Sequence, residues 1–357
     1  MSMRSVARAA VAVGLALVVA GCGSASPAAT GAPAAGTPTA ATPSALVASG
    51  PPATVQPSES AVAAAPITIV VPQQSPEPPL KRLWSKSLTT PNAGANSAIA
   101  TAPDGRVWVV SAFDGQLAVL DPGGRSIKMV GAPGAGRGEF DFADSNRNVF
   151  GGVAFDVAGN ALVADTFNDR VQVLDATGRV SGGWGNFGTE DGQFGGPVGI
   201  AVDDRGHVFV GDGSRNDIQE FTGDGKFVRV YSDGIDYTHS QASQVAVDAA
   251  HDIYTTIGTT IAKIGPDGST SAVFDLAAYG FPDAVVVDKA GNLWIPTVST
   301  SDNAAESGPL IVLDPAGKIL HVWDPGGNLV ALAPREDAVY VTSFKSADIA
   351  KYALPVQ

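Results

Sequence analysis

The stretch Gly192-Gln-Phe-Gly-Gly-Pro-Val-Gly-Ile-Ala-Val-Asp-Asp-Arg-Gly-His-Val-Phe-Val-Gly-Asp212 decides the fold. It reads as a polar loop, an apolar strand, a tight Asp-x-x-Gly turn and a second apolar strand. Alternation with period two marks each strand as having one packed face. The same plan recurs in Ser97-Ala-Ile-Ala-Thr, Gly152-Val-Ala-Phe-Asp, Ser243-Gln-Val-Ala-Val-Asp, Asp283-Ala-Val-Val-Val-Asp and Asn328-Leu-Val-Ala-Leu, each followed by a turn and a second strand. With the turn residues Gly105, Gly159, Gly206, His251, Gly291 and Asp337 as anchors, the spacings are 54, 47, 45, 40 and 46. A period of this size with about four strands per unit predicts a six-bladed all-β propeller. Asp156, Asp203, Asp248 and Asp288 recur at one turn position, which predicts turn chemistry, since one active site has no use for four copies.

The sixth unit stops after its third strand, at Tyr352-Ala353-Leu354. A ring that does not close leaves raw sheet edges. Lys81-Arg-Leu-Trp-Ser-Lys-Ser87 reads like the fourth strand Lys318-Ile-Leu-His-Val-Trp323. An N-terminal strand is therefore expected to complete the last blade, with Leu83 and Trp84 protected.

The units resemble NHL repeats. The resemblance is carried by the 192–212 stretch and by Ala164-Asp-Thr-Phe-Asn-Asp-Arg-Val-Gln-Val-Leu-Asp175, with the family's D-x-x-N-x-R-V-Q run. It extends over about three-quarters of the chain. Asp165 and Arg170 are expected to tie the second and third strands of their blade, with Asn168 supporting the turn. In the next unit, Asp212-Gly-Ser-Arg-Asn-Asp-Ile218 reads as carrying an extra residue, with Ile218 where Arg is usual. Similar propellers serve as sensor domains of bacterial receptor kinases, which implies an extracytoplasmic binding module.

Upstream of the repeats the chain changes character. Arg4 and Arg8 precede eleven apolar residues, Ala9 to Val19, and then Val19-Ala20-Gly21-Cys22. The run has the length of a signal-peptide core and is too short to span a bilayer. Its end resembles the bacterial lipobox, which implies cleavage after Gly21 and acylation of Cys22. Several acyl chains on one residue give stable anchoring to the outer face of the membrane. Residues 22–79 are Ala-, Pro-, Thr- and Ser-rich, with Glu59 and Glu77 as their only charges, and are expected to form a disordered tether. Within it Ile67 to Val71 could pair as a strand, but Pro66 and Pro72 bracket it and argue against a lasting one. The expected organisation is a signal peptide at 1–21, the lipidated tether at 22–79 and a monomeric propeller at 80–357.

The formal net charge is −13, so a phosphate backbone would find nothing to neutralise it and a nucleic-acid partner is excluded. Cys22 is the sole cysteine, which excludes disulfides within the chain. Gly131-Ala-Pro-Gly-Ala-Gly136 lacks the Lys-Ser/Thr of a phosphate loop and reads as a flexible connection.

The ligand rim is expected from loops between blades and from hairpins between second and third strands. Phe142, Phe187, Tyr237, His239, Glu190 and Asp191 are its candidate residues, suited to a protein, peptide or glycan ligand. No cofactor is required by this reading. The alternative is a metal-dependent enzyme of the lactonase or lyase type, with calcium held by acids among Glu139, Asp141, Asp144, Glu190, Asp191, Asp236 and Asp302. A zinc site of the amidating-lyase kind is disfavoured, because His207 and His251 fall on the other rim and His321 on an outer strand.

Overall fold

The computed structural model describes residues 65–88, 96–145, 148–231, 244–298, 307–324, 329–343 and 348–355. Cys22, the signal segment and most of the tether lie outside them.

Six antiparallel sheets form six blades. Blade 3 shows the plan: Pro197–Val202, Val208–Asp212, Asp217–Phe221 and Phe227–Tyr231 pair in that order. The first strands of successive blades touch in cyclic order, and that of blade 6 returns to that of blade 1. Second strands are buried throughout, as in Val107–Ser111 and Val208–Asp212, because they lie inside the sheet and between blades. Outermost strands such as Val180–Trp184 are half exposed.

Turn chemistry accounts for the repeated aspartates. Asp156, Asp203, Asp248 and Asp288 each accept a backbone N–H four residues on, from Asn160, His207, Asp252 and Asn292. The carbonyl of each also closes the turn on the following left-handed residue. That residue is Gly159, Gly206 or Gly291 in three cases and His251, at φ 65°, in the fourth.

A second device joins neighbouring blades. The outermost strand of one blade presents a bulky side chain to a glycine in the outer turn of the next. A Cβ built on Gly225 would lie 2.6 Å from the Trp184 ring, one on Gly317 2.8 Å from Phe274 and one on Gly124 2.9 Å from Trp84. Trp84 belongs to Arg82–Ser87, which pairs antiparallel with Asp348–Ala353 as the fourth strand of blade 6. The N-terminal strand thus closes the ring, as expected, and its tryptophan completes the staple. Leu83 departs from expectation: it points outward, 46% exposed.

The tether boundary also needs correction. Ile67–Val70 pairs in parallel with Thr270–Asp275 as a fifth strand on blade 4, and Val71 is fully buried in the core between blades 4 and 5. The strap then crosses blade 5, where the Glu77 N–H donates to the Val322 carbonyl at 2.7 Å. The Glu77 carboxylate meets His321 Nδ1 at 3.1 Å, and that imidazole stacks on Trp323. Pro79 and Leu80 reach the cleft between blades 5 and 6, beside Trp323, Leu329 and Tyr352. Pro66 and Pro72 do not oppose this, because they flank an edge strand and remove no ladder donor. The Pro72 carbonyl even accepts a bond from the Tyr279 hydroxyl at 2.8 Å.

Candidate functional site

Two inter-blade loops and the hairpins beside them build one sector of the rim. Residues 131–140 lead into blade 2 and residues 185–194 into blade 3, and they share one design. Phe140 and Phe194 are fully buried at the loop ends. A side-chain amide from the third strand clamps each loop. Gln172 accepts from the Gly138 N–H at 3.0 Å and donates to the Glu139 carbonyl at 2.8 Å. Gln219 does the same with the Gly192 N–H and the Gln193 carbonyl, both at 2.8 Å. The Gly131–Gly136 stretch is therefore held rather than flexible, a correction to the expectation from composition. Arg170 donates to three carbonyls there, those of Ala135, Gly136 and Glu139.

Asp165 anchors that network. Its buried carboxylate accepts from the Asp141 N–H at 2.8 Å, from Asn168 Nδ2 at 2.9 Å, from Arg170 Nε at 2.8 Å and from Gln172 Nε2 at 3.0 Å. Burial pushes this carboxyl above the usual range, against the pull of those donors.

Blade 3 holds no extra residue. Asp212 pairs with Asp217 as Asp165 pairs with Arg170, and Asn216 takes the left-handed place of Asp169. The arginine position is thus filled by Asp217, and Arg215 occupies the Asn168 position. Asp212 accepts four backbone N–H groups, from Ser214, Arg215, Gly195 and Gly196. Arg215 bonds Asp217 at 2.8 Å and the Glu190 carbonyl at 2.9 Å.

The candidate rim residues separate. Phe142 is fully buried, stacked on Phe140 with centroids 5.3 Å apart, so it packs the core between blades 1 and 2 and cannot meet a ligand. Phe187 stands 51% exposed, and Glu190 and Asp191 beside it are exposed. Tyr237, His239, Asp236 and Asp302 lie outside the described residues.

Glu139 accepts from the Gly136 N–H, and Asp144 from both nitrogens of Asn148. These acids organise loops and do not gather as metal ligands. Among the described residues, the group of three with ligand atoms in mutual reach is Asp203, Asp204 and His251, on the opposite rim. Asp203 is already paired there with Arg205 at 2.7 Å, which ill suits a cation.

Sequence reasoning passed over Asp283. It enters blade 5 at the position that Ser97 holds in blade 1, directly after Phe281 and Pro282 of the inter-blade loop. It keeps some accessible surface, yet the protein around its carboxyl raises the pKa to about 7, with desolvation the sole cause. The signal available was an acid where the other units place Ser, Gly or Val.

Residues 194–221 match the family model of the NHL repeat. The chain is a six-bladed β-propeller that carries an NHL repeat. No curated protein is significantly similar to it in sequence. Among solved structures, this propeller is similar to a catalytically inactive virginiamycin B lyase from Staphylococcus aureus in complex with quinupristin. That likeness has a TM-score of 0.55 at 14% identity and covers 76% of this chain and 99% of the other. It is similar also to a gluconolactonase from Xanthomonas campestris, with a TM-score of 0.55 at 13% identity over 79% of this chain and 99% of that one. A Bacteroides caccae protein of unknown function has a TM-score of 0.54 at 15% identity, covering 72% and 92%. At such identities the likeness establishes the fold.

Proposed function

We propose that the mature chain is a cell-envelope lipoprotein, held to the outer face of a bacterial membrane through Cys22. Its NHL propeller binds a protein, peptide or glycan on the rim described above. The carrying observation is Phe187: a half-exposed aromatic on a loop that Gln219 and Arg215 hold in place. A large apolar side chain fixed before binding loses little entropy on contact, which is what a recognition anchor requires. Phe281, 46% exposed on the loop entering blade 5, extends the surface. The test is photocrosslinking in cells, with a benzoylphenylalanine at position 187 or 281 and a control at Val157 on the opposite rim. Adducts from 187 and 281 without adducts from 157 support the reading; the same adducts from all three positions, or none from any, reject it.

A second reading rests on Asp283. A carboxyl that titrates near neutrality is suited to general acid–base work, and two of the similar folds are a lyase and a gluconolactonase. On this reading the chain is an enzyme of that type, and calcium is the metal to assay. Stoichiometric metal in the purified protein, with lactone hydrolysis lost both to a chelator and to Asp283→Asn, supports it. Hydrolysis unaffected by Asp283→Asn excludes it.

A further inference from the structure

The two rim loops share a backbone design but not a charge pattern. Matching their equivalent hydrogen bonds sets Pro133 against Phe187, Gly136 against Glu190 and Arg137 against Asp191. The strand register sets Asn168 against Arg215 and Arg170 against Asp217. Blade 2 thus places two arginines at its rim. Arg170 fills the space between Asp165 and three loop carbonyls, and Arg137 donates to the Val180 carbonyl at 2.7 Å. Blade 3 puts an aspartate at both places and adds Glu190, with Arg215 as the compensating base.

That exchange leaves oxygen atoms without donors. Asp217 is 6% exposed, and its Oδ1 has no hydrogen-bond partner among the described residues, nor does the buried Asn216 Oδ1. Burial and the neighbouring Asp212 and Asp191 charges push the Asp217 carboxyl above its usual range, although Arg215 pulls it down. A buried acceptor left unpaired is costly, and a cation near it lowers that cost. Blade 2 supplies such a cation from its own chain.

Resting on the binding-module reading, we propose that the blade 3 rim binds a basic peptide segment of a partner protein. An arginine or lysine head lies against Glu190 and Asp191, over Asp217, and its aliphatic stem covers Phe187. Long cationic side chains lie well along an aromatic in this way, with the charge on acids at the rim. The chain's net charge of −13 steers such a partner inward at low ionic strength.

The test uses the mature protein and a fluorescein-labelled hexa-arginine peptide, with hexaglutamate and hexaserine peptides as controls, followed by anisotropy across a salt series. Glu190→Gln with Asp191→Asn should weaken hexa-arginine binding at least about fivefold and flatten its salt dependence. Asp204→Asn with Glu336→Gln removes as much charge from exposed acids of the opposite rim and should change affinity less than about twofold. Arg215→Asn with Asp217→Arg copies the blade 2 pattern; it should melt like the parent and bind hexa-arginine weakly. Equal losses in the two charge-removing pairs, full binding by the blade 2 copy, or no binding by the parent overturn the proposal. So does competition by calcium at one ion per chain, which would make the rim a metal site. Adducts at position 187 together with a failed peptide assay would discard the basic-peptide partner and leave the binding rim standing.

Discussion

At the scale of single residues, two turn glycines of blade 3 separate backbone strain from packing. Gly206 and Gly225 have nearly the same conformation, at φ 83° and 84°. Only Gly225 has a ring against it, since nothing lies within 4 Å of a Cβ built on Gly206. Gly206→Ala should cost about 1–2 kcal/mol, the expense of a left-handed alanine. Gly225→Ala should cost roughly 1–3 kcal/mol more, because Trp184 must move. Urea unfolding of the two variants measures the difference, and equal losses would remove the inter-blade staple from the account. Asp283 offers a pH test. Its folded pKa, about 7, is above the ordinary carboxylate value of 3.8. The folded form holds this proton more tightly, so the contribution is full below about pH 4 and is lost as pH rises through 7. Asp283→Asn should flatten the stability profile between pH 4 and 8, measured by denaturant midpoints. An unchanged slope would place the carboxyl in water.

Among the elements, the strap across blades 4 to 6 is the least foreseeable part of the fold. A chain beginning at residue 65 should melt like the mature protein, whereas one beginning at Leu80 should melt well below it. Loss of buried Val71 alone removes about 2 kcal/mol, and Tyr279 loses its bond to the Pro72 carbonyl. Equal melting temperatures would show that the strap contributes nothing. The strap was hard to read because its strand is four residues long and borrows its partner from two hundred residues away. Local alternation carries no trace of such a pairing. The blades themselves were legible, because the Asp-x-x-Gly turns and the period-two strands are local. Phe142 was not: beside Phe140 in an irregular loop, no periodicity distinguishes a buried ring from an exposed one. The 212–218 run hides its register for a related reason. Aligning on Asn and Arg suggested an insertion, whereas the spacing from Asp212 to Asp217 already matched that from Asp165 to Arg170.

For the whole molecule, lipid attachment at Cys22 would decide where the propeller works. Cys22→Ala should leave an uncleaved precursor or a soluble form, and detergent phase separation checks it. Unchanged partitioning would refute lipid attachment at that residue. The ring itself is sealed by two adjoining pieces of one segment. Arg82–Ser87 completes blade 6, and the strap binds the outer walls of blades 4 and 5. The same segment joins the propeller to the upstream chain, so closure and that covalent link share one stretch of backbone.

That sharing bears on how the protein would carry force. Ile67 lies opposite Ala272 and Val70 opposite Asp275, so the strap strand and its partner run in the same direction. A pull that draws residue 65 back along its own strand loads every rung of this ladder together, in shear. A strand peeled from its end would instead surrender its rungs one after another. The Glu77 and Val71 contacts stand behind the ladder, between the load and the ring-closing strand. Tension arriving from the N-terminal side therefore meets a mechanical brake before it reaches the seal of the ring.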